Sequence, residues 1–430
     1  MPKVGAMLTI VSLVLGLGSV VVRAPAAWSD AVDTTIATWT SRVQQNAWDE
    51  YALVQLGDAL MQKARDTADV SYYSRAEAFY QRALALRASN VAALTGLAWV
   101  SGARHEFEQS MTWARQAVAI APQHHAAYGL LGDAALEMGD YEAAFTHYQK
   151  MLDIRPDLAS YSRGAHLLFV TGDTPLAMVL MHKAITAGAP YAENTTWCRV
   201  QLALMLWATG ALLPAEQLLH TALAEAPHNY HVLAAMGKIK AAQQDFEAAI
   251  DYYKRASAIA PQLEVVIALG DLYRFTGQPE AAARQDALVD VIHQLNTANG
   301  VRDDINIARL YAERERHLSE ALRIAEVVYT TRPNVFVADT LAWCYYKNGR
   351  YEEASKAIKK ALSQKTPDAM ILFHAGMIYA KLGAQPTAQK YLYQALSLHA
   401  NFHPVYASVA ADTLTQLGTR QSASEHTEGR

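Results

Sequence analysis

Apolar residues along most of the chain recur at positions i, i+3, i+4 and i+7, which places them on one face of a helix. One such stripe includes Leu131 and Ala135, and the next includes Tyr148 and Met151. Gly139 stands between the two stripes and favours the left-handed conformation that ends a helix. The pattern therefore predicts two antiparallel helices joined by a short turn.

The same helical pair recurs with a period of about 34 residues. Small residues form one column at Ser110, Ala144, Ala177, Ala215, Ala249, Ala282, Ala321, Ala354 and Ala388. A second column, twelve residues earlier in each unit, contains Ala98, Gly132, Ala165, Ala203, Gly237, Gly270, Arg309, Ala342 and Gly376. Arg309 is the exception in this column, because it is the one large residue among small ones. One pair cannot bury its own apolar face, and we expect about ten stacked pairs over residues 50–402 to share a continuous core.

The composition excludes several classes of protein. Apolar residues make up 52 % of the chain and charged residues 18 %, so it can form a large core. The 37 basic residues are balanced by 41 acidic ones, which argues against general binding of nucleic acid. Two cysteines are too few for a disulfide scaffold or a Cys-rich metal site.

The ends of the chain differ from the repeated part. Residues 4–22 are uncharged and apolar, and Ala24 and Ala26 follow at the spacing of a signal-peptide cleavage site. We expect residues 1–27 to be an export signal; the alternative is an uncleaved anchor through residues 4–22, which are just long enough to span a bilayer. Residues 28–49 are predicted to form an N-terminal helix, residues 403–418 a capping helix and residues 419–430 a disordered tail.

Two segments, AAYGLLGDAALEMGDYEAAFTHYQKMLDIRP and VADTLAWCYYKNGRYEEASKAIKKALSQKTP, resemble the tetratricopeptide repeat. This resemblance implies an all-α, right-handed superhelical solenoid of about ten helix–turn–helix units. Phrases such as LGDALMQKARDTADVSYYSRAEAFYQRAL and LFHAGMIYAKLG are similar to a family of exported bacterial tetratricopeptide repeat proteins without an assigned reaction. In such solenoids the first helix of each unit lines the concave wall.

Aromatic and cationic side chains on these first helices are the candidate binding residues, since such side chains dominate the energy of many interfaces. The candidates are Trp99, Phe169, Trp197, Trp207, Lys238, Arg274, Arg314, Trp343, Tyr346 and Lys347. The alternative is that some of the aromatic side chains pack between adjacent first helices. The mixed cluster of Trp343, Tyr346, Lys347 and Arg314 is the one that most favours a partner.

The sequence favours no enzyme activity, cofactor or metal. It contains no H-E-x-x-H, G-x-S-x-G or phosphate-loop motif. Its histidine pairs lie in turns without a nearby third ligand. Cys198 and Cys344 lie four units apart and are expected not to meet, because the units of a solenoid contact only their neighbours.

Three functional interpretations remain. The first is an exported module that binds a peptide or protein of the cell envelope or extracellular space in its concave groove. The second is a scaffold that self-assembles through its ends, and the third is a small-molecule carrier around Trp197 and Trp207. Membrane contact is expected only if the N-terminal segment is retained. An insertion at residues 64–74 should be the most exposed element.

Overall fold

The computed structural model of the protein describes residues 26–189 and 191–428, and all regular structure in these ranges is helical. There are 22 α-helices in this part, together with one 3₁₀ helix, Leu362–Gln364. None of the helices found there is both long and apolar enough to cross a membrane. The predicted all-α solenoid is confirmed. The predicted signal or anchor, residues 1–27, lies almost wholly outside the described residues.

Ten consecutive helical hairpins form the solenoid. The first helices are α2 (Glu50–Thr67), α4 (Val91–Ala103), α6 (His125–Glu137), α8 (Leu158–Val170), α10 (Ala192–Ala208), α12 (Tyr230–Ala242), α14 (Leu263–Phe275), α16 (Asp304–Glu313), α18 (Val335–Lys347) and α20 (Ala369–Lys381). The second helices are α3 (Ser71–Leu86), α5 (Phe107–Ile120), α7 (Tyr141–Ile154), α9 (Thr174–Ala187), α11 (Leu212–Glu225), α13 (Phe246–Ile259), α15 (Pro279–Ala298), α17 (Leu318–Thr331), α19 (Tyr351–Ala361) and α21 (Gln385–Leu398). These pairs are numbered units 1 to 10 below.

One further helix lies at each end of the ten units. Helix α1 (Ala26–Gln45) packs before unit 1, and α22 (Tyr406–Glu428) follows unit 10. The backbone of α22 continues ten residues beyond 418, where the sequence predicted a disordered tail. The segment after Pro404 contains no further proline, the residue that most strongly interrupts a helix.

Close packing within a unit depends on the columns of small residues. Tyr80 of α3 is fully buried against Gly57 and Gly96, and a Cβ atom on Gly57 would lie 2.6 Å from the Tyr80 ring. The Tyr80 hydroxyl donates a hydrogen bond of 2.7 Å to Asp58 of α2. In unit 3 the ring of Tyr148 lies against Gly132 of the second column, where a Cβ atom would clash with it, and its hydroxyl group donates to Asp133. At these glycines a large second-helix side chain thus occupies the space that a missing Cβ leaves on a first helix.

Unit 8 has a different register from the one predicted. Ala308 is fully buried in the small-residue column, whereas Arg309 is exposed. The turn after α16 is one residue longer than in the other units, and Glu315 and His317 both adopt positive φ angles there. The extra residue increases the spacing between the two small columns from twelve to thirteen residues in this unit, so the column residue is Ala308. Arg309 therefore occupies the position directly after the column.

The superhelix completes one turn after about six units, so that later units pack against earlier ones. In each of units 2, 3, 4 and 5, the turn between the two helices contacts a loop much later in the chain. These loops precede unit 8, unit 9, unit 10 and α22, in that order. These contacts include Arg302 N to Arg104 O at 3.1 Å, Asn334 Nδ2 to Glu137 O at 2.8 Å, Thr366 Oγ1 to Val170 O at 2.6 Å, and the rings of Trp207 and His399 at 5.0 Å. The expectation that units contact only their neighbours is therefore wrong.

Glycines at the turns permit this approach. A Cβ atom on Gly139 would lie 2.8 Å from the Pro333 carbonyl oxygen, and one on Gly172 would lie 2.9 Å from that of Lys365. The corresponding Gly349, in a unit with no later turn above it, has no atom within 4 Å of such a Cβ. Because these positions lack a side chain, the inter-helix turns of the earlier units leave room for the backbone of the later loops.

The predicted insertion is not the most exposed element. Helix α2 has 18 residues and includes the start of this segment, where Ala64 is buried and residues 65–68 are half-buried. Arg65 forms an ion pair of 3.1 Å with the buried Glu193 of α10. The extra length of α2 thus serves contact between superhelical turns.

Candidate functional site

In units 2 to 8 the inner wall of the solenoid is formed by the residue directly after the small residue of the second column, because consecutive helical positions point about 100° apart. Seven of these residues line two cavities: Trp99, Asp133 and His166 the first, and Leu204, Lys238, Asp271 and Arg309 the second. The two cavities are therefore the candidate site.

The first cavity has a volume of about 650 Å³ and is lined by units 2 to 5 together with the end of α2. Trp99 and Trp197 contribute half-buried indole rings. Asp133 receives hydrogen bonds of 2.9 Å from Arg163 Nε and Nη2, and one of 2.8 Å from the Tyr148 hydroxyl. The principal inner-wall carboxylate here is already paired, which leaves the indoles as the main contact surface.

The second cavity has a volume of about 500 Å³ and is lined by first helices of units 5 to 8. Lys238 Nζ lies 3.9 Å from the centre of the Trp207 ring. Within the described residues Lys238 has neither a hydrogen bond nor an ion pair with any side chain. Burial lowers the pKa of Lys238 to about 8; Asp368 opposes the shift, and Arg309 adds to it.

The loop between α21 and α22 closes one side of the second cavity, which Phe402 and His403 line. His399, in the same loop, is 3 % exposed and packs edge-on against Trp207. Its Nδ1 accepts a hydrogen bond of 3.2 Å from the Asn401 backbone N–H. Burial lowers the pKa of His399 to about 4, and the positive charge of Lys238 acts in the same direction.

Comparison with known proteins identifies the repeat. Three models described as tetratricopeptide repeat match residues 108–159, 230–263 and 335–365. The chain is a tetratricopeptide repeat protein. No curated protein matches its sequence.

Solved structures with the same kind of fold are similar at low identity. A tetratricopeptide repeat protein from Parabacteroides merdae is 18 % identical, with 60 % of this chain and 98 % of that one covered and a TM-score of 0.36. Pseudomonas aeruginosa PilF is 16 % identical over 47 % and 92 % of the two chains, with a TM-score of 0.38. The Cut9–Hcn1 complex is 12 % identical over 91 % and 94 %, with a TM-score of 0.40.

Four of the residues predicted to form the groove of this tetratricopeptide repeat protein line the cavities. Trp99 and Trp197 lie together in the first cavity, and Trp207 and Lys238 lie together in the second. Phe169 is half-buried and packs against the core shared by units 4 and 5, so it lines neither cavity.

Arg274 and Arg314 hold an inner-wall carboxylate of the repeat instead of facing a free groove. Arg314 Nη2 lies 2.5 Å from Asp271 Oδ1, and Arg274 Nη1 lies 3.7 Å from the same oxygen. Arg274 also pairs with Asp286. Burial raises the pKa of Asp271 to about 6, against the opposing effect of Arg314. Both guanidinium groups therefore already have anionic partners.

Trp343 requires a correction, because it is 2 % exposed and offers no face to a partner. Its ring stacks between Tyr346, at 4.6 Å, and His374, at 4.1 Å. Tyr406 of α22 covers one edge of the indole. Trp343 is thus a core residue of the C-terminal units.

The predicted mixed cluster forms only in part. Lys347 lies 5.0 Å from the centre of the Trp343 ring and pairs with Glu315 at 2.6 Å. Tyr346 joins them by stacking on Trp343, whereas Arg314 pairs with Asp271 instead. The cluster contributes to packing, and its lysine already has an anionic partner.

The sequence prediction omitted Arg309, Phe402 and His403, which line the second cavity. Arg309 carried a signal, because it was the one large residue in a column of small ones. The residues of the α21–α22 loop carried none, since their place on the wall depends on contact between distant units.

One group of described residues has the composition of a metal site. Ligand atoms of His293, Asp303 and Asp304 lie within 4.8 Å of one another. Asp303 is buried, and its two carboxylate oxygens pair with His293 Nδ1 at 2.6 Å and accept from Asn296 Nδ2 at 2.7 Å. These bonds tie the long helix α15 to the loop before α16, which gives the group a structural role.

Proposed function

We propose that this tetratricopeptide repeat protein is a non-enzymatic, exported adaptor that holds a peptide segment of a protein partner in its inner channel. The inner channel is the space along the inner wall that contains the two cavities. The observation that carries this proposal is the pairing of Trp207 and Lys238 on the wall of the second cavity, where the lysine has no anionic partner. Proteins built from this repeat generally bind other proteins, and aromatic and cationic side chains supply much of the energy at such interfaces.

The size of the channel favours a peptide segment over a folded domain. The cavities measure about 650 and 500 Å³, within the range of roughly 300–1,000 Å³ that suits small ligands. Contacts between superhelical turns, such as the one between Thr366 and Val170, close the side of the channel. An extended chain with a few inserted side chains fits this space.

The chemistry of the described residues favours binding over catalysis. Burial raises the pKa of both Cys198 and Cys344 to about 12, so both thiols are protonated at neutral pH. Both are buried and free of disulfide bonds. Thiols in this state are poor nucleophiles.

Export is proposed from residues 1–27, whose apolar run and small residues have the form of a signal peptide. The partner would then be a protein of the envelope or the extracellular space. Cell fractionation and N-terminal sequencing of the mature chain test this point. Recovery of the full-length chain from the cytoplasm would contradict it.

Crosslinking in the native organism, followed by purification of the tagged protein and mass spectrometry, tests the binding function. The informative variant is Trp207→Ala, and the matched control is Phe145→Ala, because Phe145 is 56 % exposed on a second helix, away from the channel. We expect one partner that is lost with Trp207→Ala and retained with Phe145→Ala. A partner retained by both variants would contradict binding in the channel.

Self-assembly is the second candidate function, favoured by exposed aromatic residues at the N-terminal end of unit 1. Trp48 is 76 % exposed and Tyr51 is 60 % exposed. Sedimentation velocity of the purified chain and of a Trp48→Ser/Tyr51→Ser variant tests this alternative. Concentration-dependent oligomers that disappear in the variant would support it, and a monomer at all concentrations would exclude it.

A further inference from the structure

Lys238 differs from the other charged residues at the equivalent inner-wall position. Asp58 accepts a hydrogen bond from Tyr80, Asp133 pairs with Arg163, and Asp271 pairs with Arg314. The ammonium group of Lys238 has only the face of the Trp207 ring. Among the described inner-wall positions, Lys238 is therefore a cation without a counter-charge in contact.

An unpaired cation in an enclosed site lowers stability, since part of its hydration is lost and no counter-charge in contact replaces it. The aromatic face of Trp207 compensates in part through a cation–π interaction. The lowered pKa of Lys238 agrees with an incomplete compensation. A carboxylate brought in by a ligand would restore the missing partner through a charge-assisted hydrogen bond.

Arg309 supplies a second cation on the same wall. Its Nε donates to Glu313 at 3.2 Å, while its Nη1 and Nη2 have no partner among the described residues. Its positive charge also disfavours the charged form of Lys238, which places the two cations within electrostatic reach of each other. Asp271, at the inner-wall position between them along the solenoid, is already held by Arg314. The wall of this cavity therefore carries two cations, Lys238 and Arg309, that still have N–H groups free to donate.

Apolar side chains surround these two cations. Leu204 and Leu310 line the cavity from the first helices, and Phe402 and Pro404 line it from the α21–α22 loop. A ligand that fits such a wall carries an acidic group beside an apolar one.

We infer that the second cavity recognises an acidic side chain, flanked by an apolar residue, in an extended peptide, with Lys238 as the principal contact and Arg309 as the second donor. This inference rests on the proposed function, because it names the chemistry of the segment held in the channel. It assigns the ligand specificity to two residues of units 6 and 8.

Matched peptides test the inference directly. Hexapeptide mixtures with one fixed central Glu, or with Gln in its place, and a flanking Leu or Phe are titrated into the full-length protein by calorimetry. We expect the Glu peptides to bind about tenfold more tightly or better, as a hydrogen bond between charged groups provides. Lys238→Met should remove the difference, and Lys238→Arg should retain most of it.

The control variant is Lys183→Met. Lys183 also lies over an aromatic ring, that of Tyr161 at 5.9 Å, but it is exposed on second helix α9. This variant should retain the preference for Glu. Thermal unfolding of each variant verifies that it is folded, and Lys238→Met should be at least as stable as the native chain because it removes an unpaired cation.

The outcomes separate the two proposals. Equal binding of Glu and Gln peptides that still depends on Trp207 would overturn the inference and leave the proposed function in place. A Glu preference that persists in Lys238→Met would also overturn it. If no peptide binds to the folded protein, the proposed function fails and the inference fails with it.

Discussion

The hydroxyl group of Thr366 donates a buried hydrogen bond of 2.6 Å to the carbonyl oxygen of Val170, 196 residues earlier in the chain. Val170 is the last residue of α8, and Thr366 lies in the loop before α20. The oxygen that α8 leaves unpaired at its C-terminal end is thus satisfied by the next superhelical turn. This bond is one of the contacts that close the side of the channel.

Replacing Thr366 tests the contribution of these contacts. Thr366→Val removes the donor and leaves the Val170 carbonyl without it in a buried place, so we expect a loss of about 1–2 kcal/mol in the free energy of unfolding. Urea denaturation measures the change. Thr330→Val is the control, because Thr330 is exposed and bonds only to the nearby Val327 carbonyl. Equal effects of the two substitutions would contradict a specific role for the Thr366 bond.

Gly57→Ala tests the packing of second helices against the small column. The added Cβ would lie 2.6 Å from the Tyr80 ring, which Gly96 confines on its other side. Overpacking of this kind costs about 1–3 kcal/mol of stability, and thermal unfolding will show it as a lower Tm. Gly102→Ala is the control, since its Cβ would meet only Ser110 Oγ at 3.5 Å. It should be neutral or stabilising because alanine favours the helix.

Acid should weaken the contact between superhelical turns at His399. The folded-state pKa of about 4 lies below the usual value of 6.5, so between these values the unfolded chain binds the proton and the folded chain does not. Stability therefore falls as pH decreases from 6.5 to 4, by roughly 2–3 kcal/mol for this residue.

Denaturation at pH 7 and pH 4.5 measures this dependence. His399→Asn, which keeps an acceptor for the Asn401 N–H, should reduce it. His220→Asn, on the exposed face of α11, should leave it unchanged. A His399→Asn variant with the full native pH dependence would show that His399 is not responsible.

Lys238 should produce the opposite trend at alkaline pH. Its folded-state pKa of about 8 lies below the usual 10.5, so the folded chain loses this proton first and the unfolded chain retains it. Stability therefore rises, relative to Lys238→Met, by roughly 1–3 kcal/mol as pH increases from 8 towards 10.5. Urea denaturation of both proteins at pH 7.5 and pH 10 measures the change. A constant difference between them would contradict a lowered pKa.

Fluorescence provides a second measurement of the same group. The Lys238 ammonium lies 3.9 Å from the Trp207 ring, so loss of its charge should change the emission of that indole. We expect a titration step near pH 8 in the native chain and none in Lys238→Met. Trp207→Phe should also lack the step, which assigns it to this pair.

The fold could be predicted because its determinants are local and periodic. Small residues such as Gly132 and Ala144 recur at fixed spacing, and each indicates a position where two helices pack closely. The same reasoning placed Trp207 and Lys238 on the inner wall. It failed by one residue at Arg309, because the longer turn containing Glu315 and His317 leaves no distinct mark in the sequence.

The rest of the site depends on contact between distant units, which the repeat period does not encode. Trp343 has the register of an inner-wall residue, yet Tyr406 and His374 enclose it. His399 faces Trp207 only because the superhelix closes after about six units. The pitch of the superhelix results from many small packing angles added together, and no single residue sets it.

Closure of the superhelix changes how the chain should fold and unfold. A solenoid with nearest-neighbour contacts alone can fray unit by unit from either end, and its folding rate depends on local contacts. Here, unfolding of the loop before unit 10 also breaks its contact with unit 4. Unfolding at the C-terminal end is therefore coupled to the middle of the solenoid. We expect a single cooperative transition and a slow last folding phase, in which bringing together residues such as Val170 and Thr366 requires closure of a long loop. The topology thus couples units that lie far apart in the sequence, which nearest-neighbour stacking alone does not.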